Sequence, residues 1–284
     1  MKTHLIHPLS ALAGATVILG ACLLSGMQQP AGEKQDILRH MTIVWLDDGQ
    51  GGTAKTIRFT GVNVQIVNGL KSTNGNPFNP DSVESSQIRV NGVGNLIVGY
   101  NELGNPLGFG DNRTGSHNIV FGHGNNYTSF GGIVGPNDCS VSGPFASVTG
   151  GRQNTASGYW TSVSGGQYNS ASGGSSKYYS YAGGSVSGGY RNTASGYYAS
   201  VSGGSFNTAS EYASSVSGGV SNTASGDASS VSGGQNNTAS GDYSSVSGGW
   251  RNVASGSYSS VSGGANRSVS GTNNWRGGKY YSNN

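Results

Sequence analysis

A fifteen-residue phrase repeats through residues 147–264. It reads Ser-Val-Ser-Gly-Gly, two variable residues, Asn-Thr-Ala-Ser-Gly, and three more. The central valines are Val148, Val163, Val186, Val201, Val216, Val231, Val246 and Val261, each 15 residues from the last except for one gap of 23. That gap is one period plus an eight-residue insertion around Ser176-Lys177-Tyr178-Tyr179-Ser180. Self-similarity at a fixed period signals stacked supersecondary units, each burying its apolar side against its neighbours.

A unit this short cannot hold a helical hairpin, and Ser, Thr and Gly are poor helix formers. Two short strands and two tight turns fit. In 201–215 one strand centres on Val201, with Ser200 and Ser202 on the opposite face. The other centres on Ala209, between Thr208 and Ser210. Gly203-Gly204 is expected to form one corner. Gly158, Gly196, Gly226, Gly241 and Gly256 are expected to form the other by supplying positive φ. The Asn two residues before the Ala (Asn154, Asn169, Asn192, Asn207, Asn222, Asn237, Asn252) is expected in left-handed φ with its amides stacked in a ladder. Trp160, Tyr198, Tyr243 and Tyr258 share a slot with Ala213 and Ala228 and are expected to enlarge the core.

The fold class is therefore all-β: a parallel β-solenoid, or β-roll, of about 15-residue rungs stacked roughly 4.7–4.9 Å apart. Its core is thin. Burying a Val contributes about 1.5–3 kcal/mol, whereas ordering each residue costs roughly 1–2 kcal/mol. The expectation is that several chains share an interior, as a homotrimer.

The phrase "SVSGG…NTASG" resembles the "SVAIG…ATASG" repeat of trimeric-autotransporter (YadA-like) adhesin heads. The likeness covers 147–264 well and 95–146 weakly, with Ser-Gly standing where that family has Ala-Ile. It implies a left-handed parallel β-roll, a trimer, display outside a Gram-negative cell, and binding to host matrix or surfaces. Neither a heptad stalk nor a C-terminal β-barrel anchor is legible up to Asn284, so autotransport by the chain's own barrel is not expected.

Residues 1–26 read as an export signal: Lys2, His4 and His7 precede an apolar run over 9–24. Leu19-Gly20-Ala21-Cys22 also resembles a lipobox, which makes Cys22 a lipidation candidate and a lipid anchor the expected route to a membrane. Cys139, the only other cysteine, is expected to be a small buried residue. Residues 27–61 are expected to cap the solenoid's open end, with a short helix over 33–41, strands over 42–46 and 55–59, and a turn over 47–52. Residues 62–146 should hold irregular rungs with loop insertions: a strand over 62–67, a loop over 74–86, and apolar rungs at Leu96-Ile97-Val98, Ile119-Val120-Phe121 and Ile133-Val134, spaced by 23 and 14. Regular repeats occupy 147–271, and 272–284 reads as a C-terminal cap containing Trp275, Arg276, Tyr280 and Tyr281.

No catalytic pattern is legible, and an enzyme is not expected. His40, His117 and His123 lack metal-ligand spacing, and no nucleophile elbow or phosphate loop is present. Neither a cofactor nor a metal is expected. Asp47-Asp48 and Gly108-Phe109-Gly110-Asp111 only brush against calcium motifs. Charged residues are 10% of the chain and scattered, unlike the clustered Lys and Arg of a nucleic-acid binder.

What varies between copies is the pair after Gly-Gly, which should point outward at a corner. Tyr168, Tyr190, Arg191, Phe206, Trp250 and Arg251 are the candidate ligand surface, for a matrix protein, a glycan or another surface ligand. The expected function is an exported adhesive or structural head acting through a rigid repetitive surface. The alternative is ice binding. Thr155, Thr193, Thr208, Thr223 and Thr238 would form an outward row beside Ser157, Ser195, Ser210, Ser225 and Ser240, interrupted at Ser170, Val253 and Ser268.

Overall fold

A computed structural model describes residues 36–49, 51–104, 111–174 and 183–277. The export segment with Cys22, the 176–180 insertion, the 108–110 glycine motif, and Tyr280 and Tyr281 lie outside the described residues. The chain forms two units, 1–65 and 66–284.

The first unit is an antiparallel hairpin, β1 (Met41–Asp47) with β2 (Thr53–Phe59), in the register Met41↔Phe59 to Asp47↔Thr53. One helical turn over 36–39 precedes it. Alternation places Met41, Ile43, Trp45, Ile57 and Phe59 on one face. The aspartates cap the turn between the strands: Asp47 accepts from the Gly49 amide and Asp48 from the Gly52 amide, both at 2.8 Å.

The second unit is a parallel β-solenoid. Among the described residues, one sheet of 12 strands carries the Val column and one of 10 carries the Ala column. The Val sheet starts at β3 (Leu96–Val98) and β4 (Ile119–Phe121) and ends at Trp275–Arg276. Every Ser-Val pair from Ser147–Val148 to Ser260–Val261 sits in register on the next. The register survives the insertion, because Val163 pairs with Val186 and Ala171 with Ala194. The start differs from expectation. Residues 62–67 form no strand, since alternation without a neighbouring ladder leaves the backbone nothing to pair with. The three apolar rungs do stack: Ile97 pairs with Val120, and Val120 with Val134. As the edge strand, β3 leaves Leu96, Ile97 and Val98 exposed.

The rung interior has four columns. The valines and alanines are each 0–1% exposed, closed within the single chain. A third column, buried just as fully, follows the second corner: Ala146, Thr161, Ala199, Ser214, Ser229, Ser244 and Ser259. Trp160, Tyr198, Tyr243 and Tyr258, expected in that place, are instead 46–57% exposed. Their backbone, like that of Ala213 and Ala228, is left-handed, with φ of 49–59°. The corner turns there, so the inward position passes to the next residue.

The fourth column is the asparagine, 0–1% exposed in all seven repeats. It is not the left-handed residue. That role falls to the residue before it, such as Phe206 at φ 58°. Asn207 donates its Nδ2 to the Gly203 carbonyl of its own corner (2.8 Å) and the Gly219 carbonyl of the next rung (3.0 Å). Its Oδ1 accepts the Asn222 amide at 2.9 Å. The same pattern recurs at Asn192, Asn222 and Asn237. The amides therefore clasp backbone instead of stacking on one another. Cys139 takes an asparagine's place in the column: its amide donates to Asn125 Oδ1 at 3.0 Å, and its thiol donates to the Asn137 carbonyl at 3.3 Å.

The corner glycines have two separate reasons. Gly204 has φ 82°, and a Cβ there would lie 2.1 Å from the Gly219 carbonyl and 2.6 Å from Asn207 Nδ2. At the second corner space decides, not positive φ: a Cβ on Gly241 would lie 2.2 Å from the Gly256 carbonyl. Gly203 meets nothing within 4 Å.

Gly204→Ala should therefore destabilise the chain by about 2 kcal/mol or more, while Gly203→Ala should melt near wild type in thermal circular dichroism. Asn222→Ala orphans buried backbone groups and should cost about 3 kcal/mol or more, read as a drop in the denaturant midpoint. Cys139 is a buried free thiol whose pKa burial pushes up, so little thiolate forms near neutral pH. Alkylation at pH 8, mapped by mass spectrometry, should spare Cys139 in the native protein and label it after unfolding.

Candidate ligand-binding surface

The first corner carries the variable pairs. Their first members bridge in a continuous parallel column: Arg152, Gln167, Tyr190, Ser205, Val220, Gln235, Trp250 and Ala265. Their second members adopt left-handed φ, between 52° and 58° at Tyr168, Arg191, Phe206 and Arg251. Both positions face outward, as the sequence led us to expect: Trp250, a first member, is 38% exposed, and Phe206, a second member, 47%.

The structure brings four of the six candidate residues together. Tyr168 and Tyr190 meet edge to face at 5.6 Å between ring centroids, and Tyr190 meets Phe206 likewise at 5.5 Å. Arg191 lies in the column between Tyr168 and Phe206. Its guanidinium carbon is 5.4 Å from the Tyr168 centroid, 5.4 Å from Tyr190 and 5.8 Å from Phe206. The other two candidates form a second pair, with Arg251 4.4 Å over the Trp250 ring. The intervening rungs carry Val220-Ser221 and Gln235-Asn236, so about 14 Å of rod separates Phe206 from Trp250 at strand spacing. Neither Arg191 nor Arg251 has an ion pair among the described residues. Each guanidinium is held by aromatic faces, an attraction of about 0.5–1 kcal/mol at exposed sites, and its N–H donors remain available to a ligand.

A second aromatic column stands at the other corner, where core had been expected. Phe130 meets Phe145 at 5.0 Å, Phe145 stacks with Trp160 at 6.3 Å, and Tyr243 stacks with Tyr258 at 4.9 Å and 3°. The sequence did hold a signal for this. A packed core slot cannot exchange Trp for Ala between copies without leaving a cavity, yet Trp160 and Ala213 occupy the same slot.

The Ala sheet presents the Thr row. Thr193, Thr208, Thr223 and Thr238 stand in register, each beside a buried Ala. Their hydroxyls make no hydrogen bond among the described residues. Ser170 and Val253 interrupt the row. Asp111, from the glycine motif, instead pairs with Arg113 at 3.1 Å and accepts the Gly104 amide at 3.0 Å. Compared with known proteins, the chain matches no family model, and no curated protein is significantly similar to it.

Proposed function

We propose that this protein is an exported, cell-surface adhesive rod. It grips its ligand through the outward aromatic and guanidinium side chains of the first corner, without catalysis. The observation that carries the reading is the Tyr168–Tyr190–Arg191–Phe206 cluster. Three rings and a guanidinium without an ion pair are held by a rigid backbone in a fixed order. Such side chains supply much of the energy in protein and glycan contacts. The Trp250–Arg251 pair offers a second, weaker grip on the same edge, and two weak contacts on one rod add by avidity.

The signal-like segment 1–26 supports export, and Cys22 would supply a lipid anchor. In a homotrimer, chains would meet through their outward Ser and Thr faces, since the Val and Ala columns are already closed within each chain. Light scattering of the purified protein should then return three times the chain mass, and a monomer would remove that part of the reading.

The adhesive reading predicts binding of the purified chain to an immobilised matrix protein or glycan. Tyr190→Ser with Arg191→Ser should weaken this at least about tenfold while far-UV circular dichroism stays unchanged. Val220→Ser, on the same corner, should have no effect. A rod that binds no panel member in either form would be a structural coat only. A second reading, ice binding, is favoured by the in-register Thr row with free hydroxyls. It predicts thermal hysteresis that Thr208→Leu abolishes, and an adhesin would show none.

A further inference from the structure

Residues 74–90 lie outside the stacked ladders, yet they are tightly built. Asn74 is fully buried and donates Nδ2 to the Asn79 and Ser82 carbonyls at 2.8 and 2.9 Å. Its own carbonyl receives the Arg89 amide at 2.8 Å, and Val83 is 7% exposed. Loops held this firmly on a rigid scaffold are common places for binding sites.

Between this loop and the second corner lies a cleft of about 870 Å³, within the roughly 300–1,000 Å³ of small-ligand sites. On the solenoid side Thr128, Ser142, Ser157 and Ser172 follow one another in strand register. Their hydroxyls make no hydrogen bond among the described residues. They form a row of free donors and acceptors at about 4.8 Å spacing. Ser129 also lines the cleft; it is 4% exposed, and its hydroxyl has no partner among the described residues. The loop side contributes Glu84, the single charged lining residue among those described. Tyr159 lines the same space. Burial first, and the Glu84 charge second, push its pKa up, so it stays a neutral phenol donor.

This lining suits a particular chemistry. The solenoid strands here are already paired on both sides, so no free sheet edge is available for an extended peptide to join. A row of hydroxyls with one aromatic ring and one carboxylate matches polyhydroxylated rings, and the carboxylate disfavours anions. We propose that the cleft binds a short saccharide chain that is uncharged or carries amino groups. It lies along the rung axis with its hydroxyls on the serine row, a ring against Tyr159, and any ammonium group on Glu84. This site is separate from the first-corner cluster and does not depend on it.

The test is isothermal titration of the purified full-length chain with three probes: a neutral hexose trimer, a glucosamine trimer and a galacturonic acid trimer. The first two should bind and the acidic trimer should not. Glu84→Gln should weaken the glucosamine trimer about tenfold, the loss expected for one charge-assisted hydrogen bond, and leave the neutral trimer unchanged. Ser157→Val, an outward position just past the end of a strand, should weaken both, with circular dichroism confirming an intact fold. Tyr190→Ser with Arg191→Ser should change neither, which keeps this test apart from that of the adhesive corner. The proposal is overturned if neither trimer binds, if the acidic trimer binds as well as the others, or if binding ignores both cleft substitutions. It is also overturned if binding is lost with the corner substitutions instead.

Discussion

The buried asparagine clasp is the interaction on which the rest of this solenoid depends. Two strands of two residues leave most of each rung as corner, and corner amides and carbonyls that face inward have no strand ladder to satisfy them. Asn207 answers this with two donated bonds and one accepted bond, tying its own corner to the next rung. Each bond is worth about 0.5–1.5 kcal/mol net, so three together rival the roughly 1.5–3 kcal/mol from burying the rung's Val. The polar column does what the apolar one cannot. A Val tolerates sliding along its neighbours, whereas an Asn with directional partners sets the register. It also dictates Gly204, because any Cβ there would collide with the Asn207 amide.

Variation is pushed outward as a consequence. Val, Ala, Asn and a small third residue fill the interior, so differences between repeats appear at the two corners. There the left-handed backbone aims side chains into solvent, and stacking brings like positions in successive rungs to strand spacing. Aromatic columns follow directly from that geometry, as at Tyr243 and Tyr258. The rod therefore presents lines of side chains instead of a pocket. The 74–90 loop is the exception: it breaks the periodicity and, by doing so, creates a cleft.

Periodicity made much of this legible in the sequence. The 15-residue repeat led to the two strands, the inward Val and Ala, the Gly-Gly corner and the outward pairs, because an alternating strand has only two faces. The first-corner candidates followed from the same reasoning, although their division into a cluster of four and a separate pair did not. Errors arose where one pattern allowed two geometries. Asn suits a left-handed corner and a buried clasp equally well, and only the neighbouring rung's carbonyls choose between them. An aromatic beside a glycine could face in or out, and the turn at Trp160 sends it out. The alternating 62–67 segment lacked only a partner strand, which no local pattern reveals.

The sequence by itself determined the period, the strand pair and which residues form the apolar columns, because these depend on local chemistry repeated at a fixed interval. The tertiary structure alone decided where the asparagine amides go, which residue takes the left-handed corner, and how the loop at 84–90 makes a cleft with a wall at 128–174, far along the chain. Those outcomes depend on contacts between rungs, and such contacts exist only once the chain has stacked on itself.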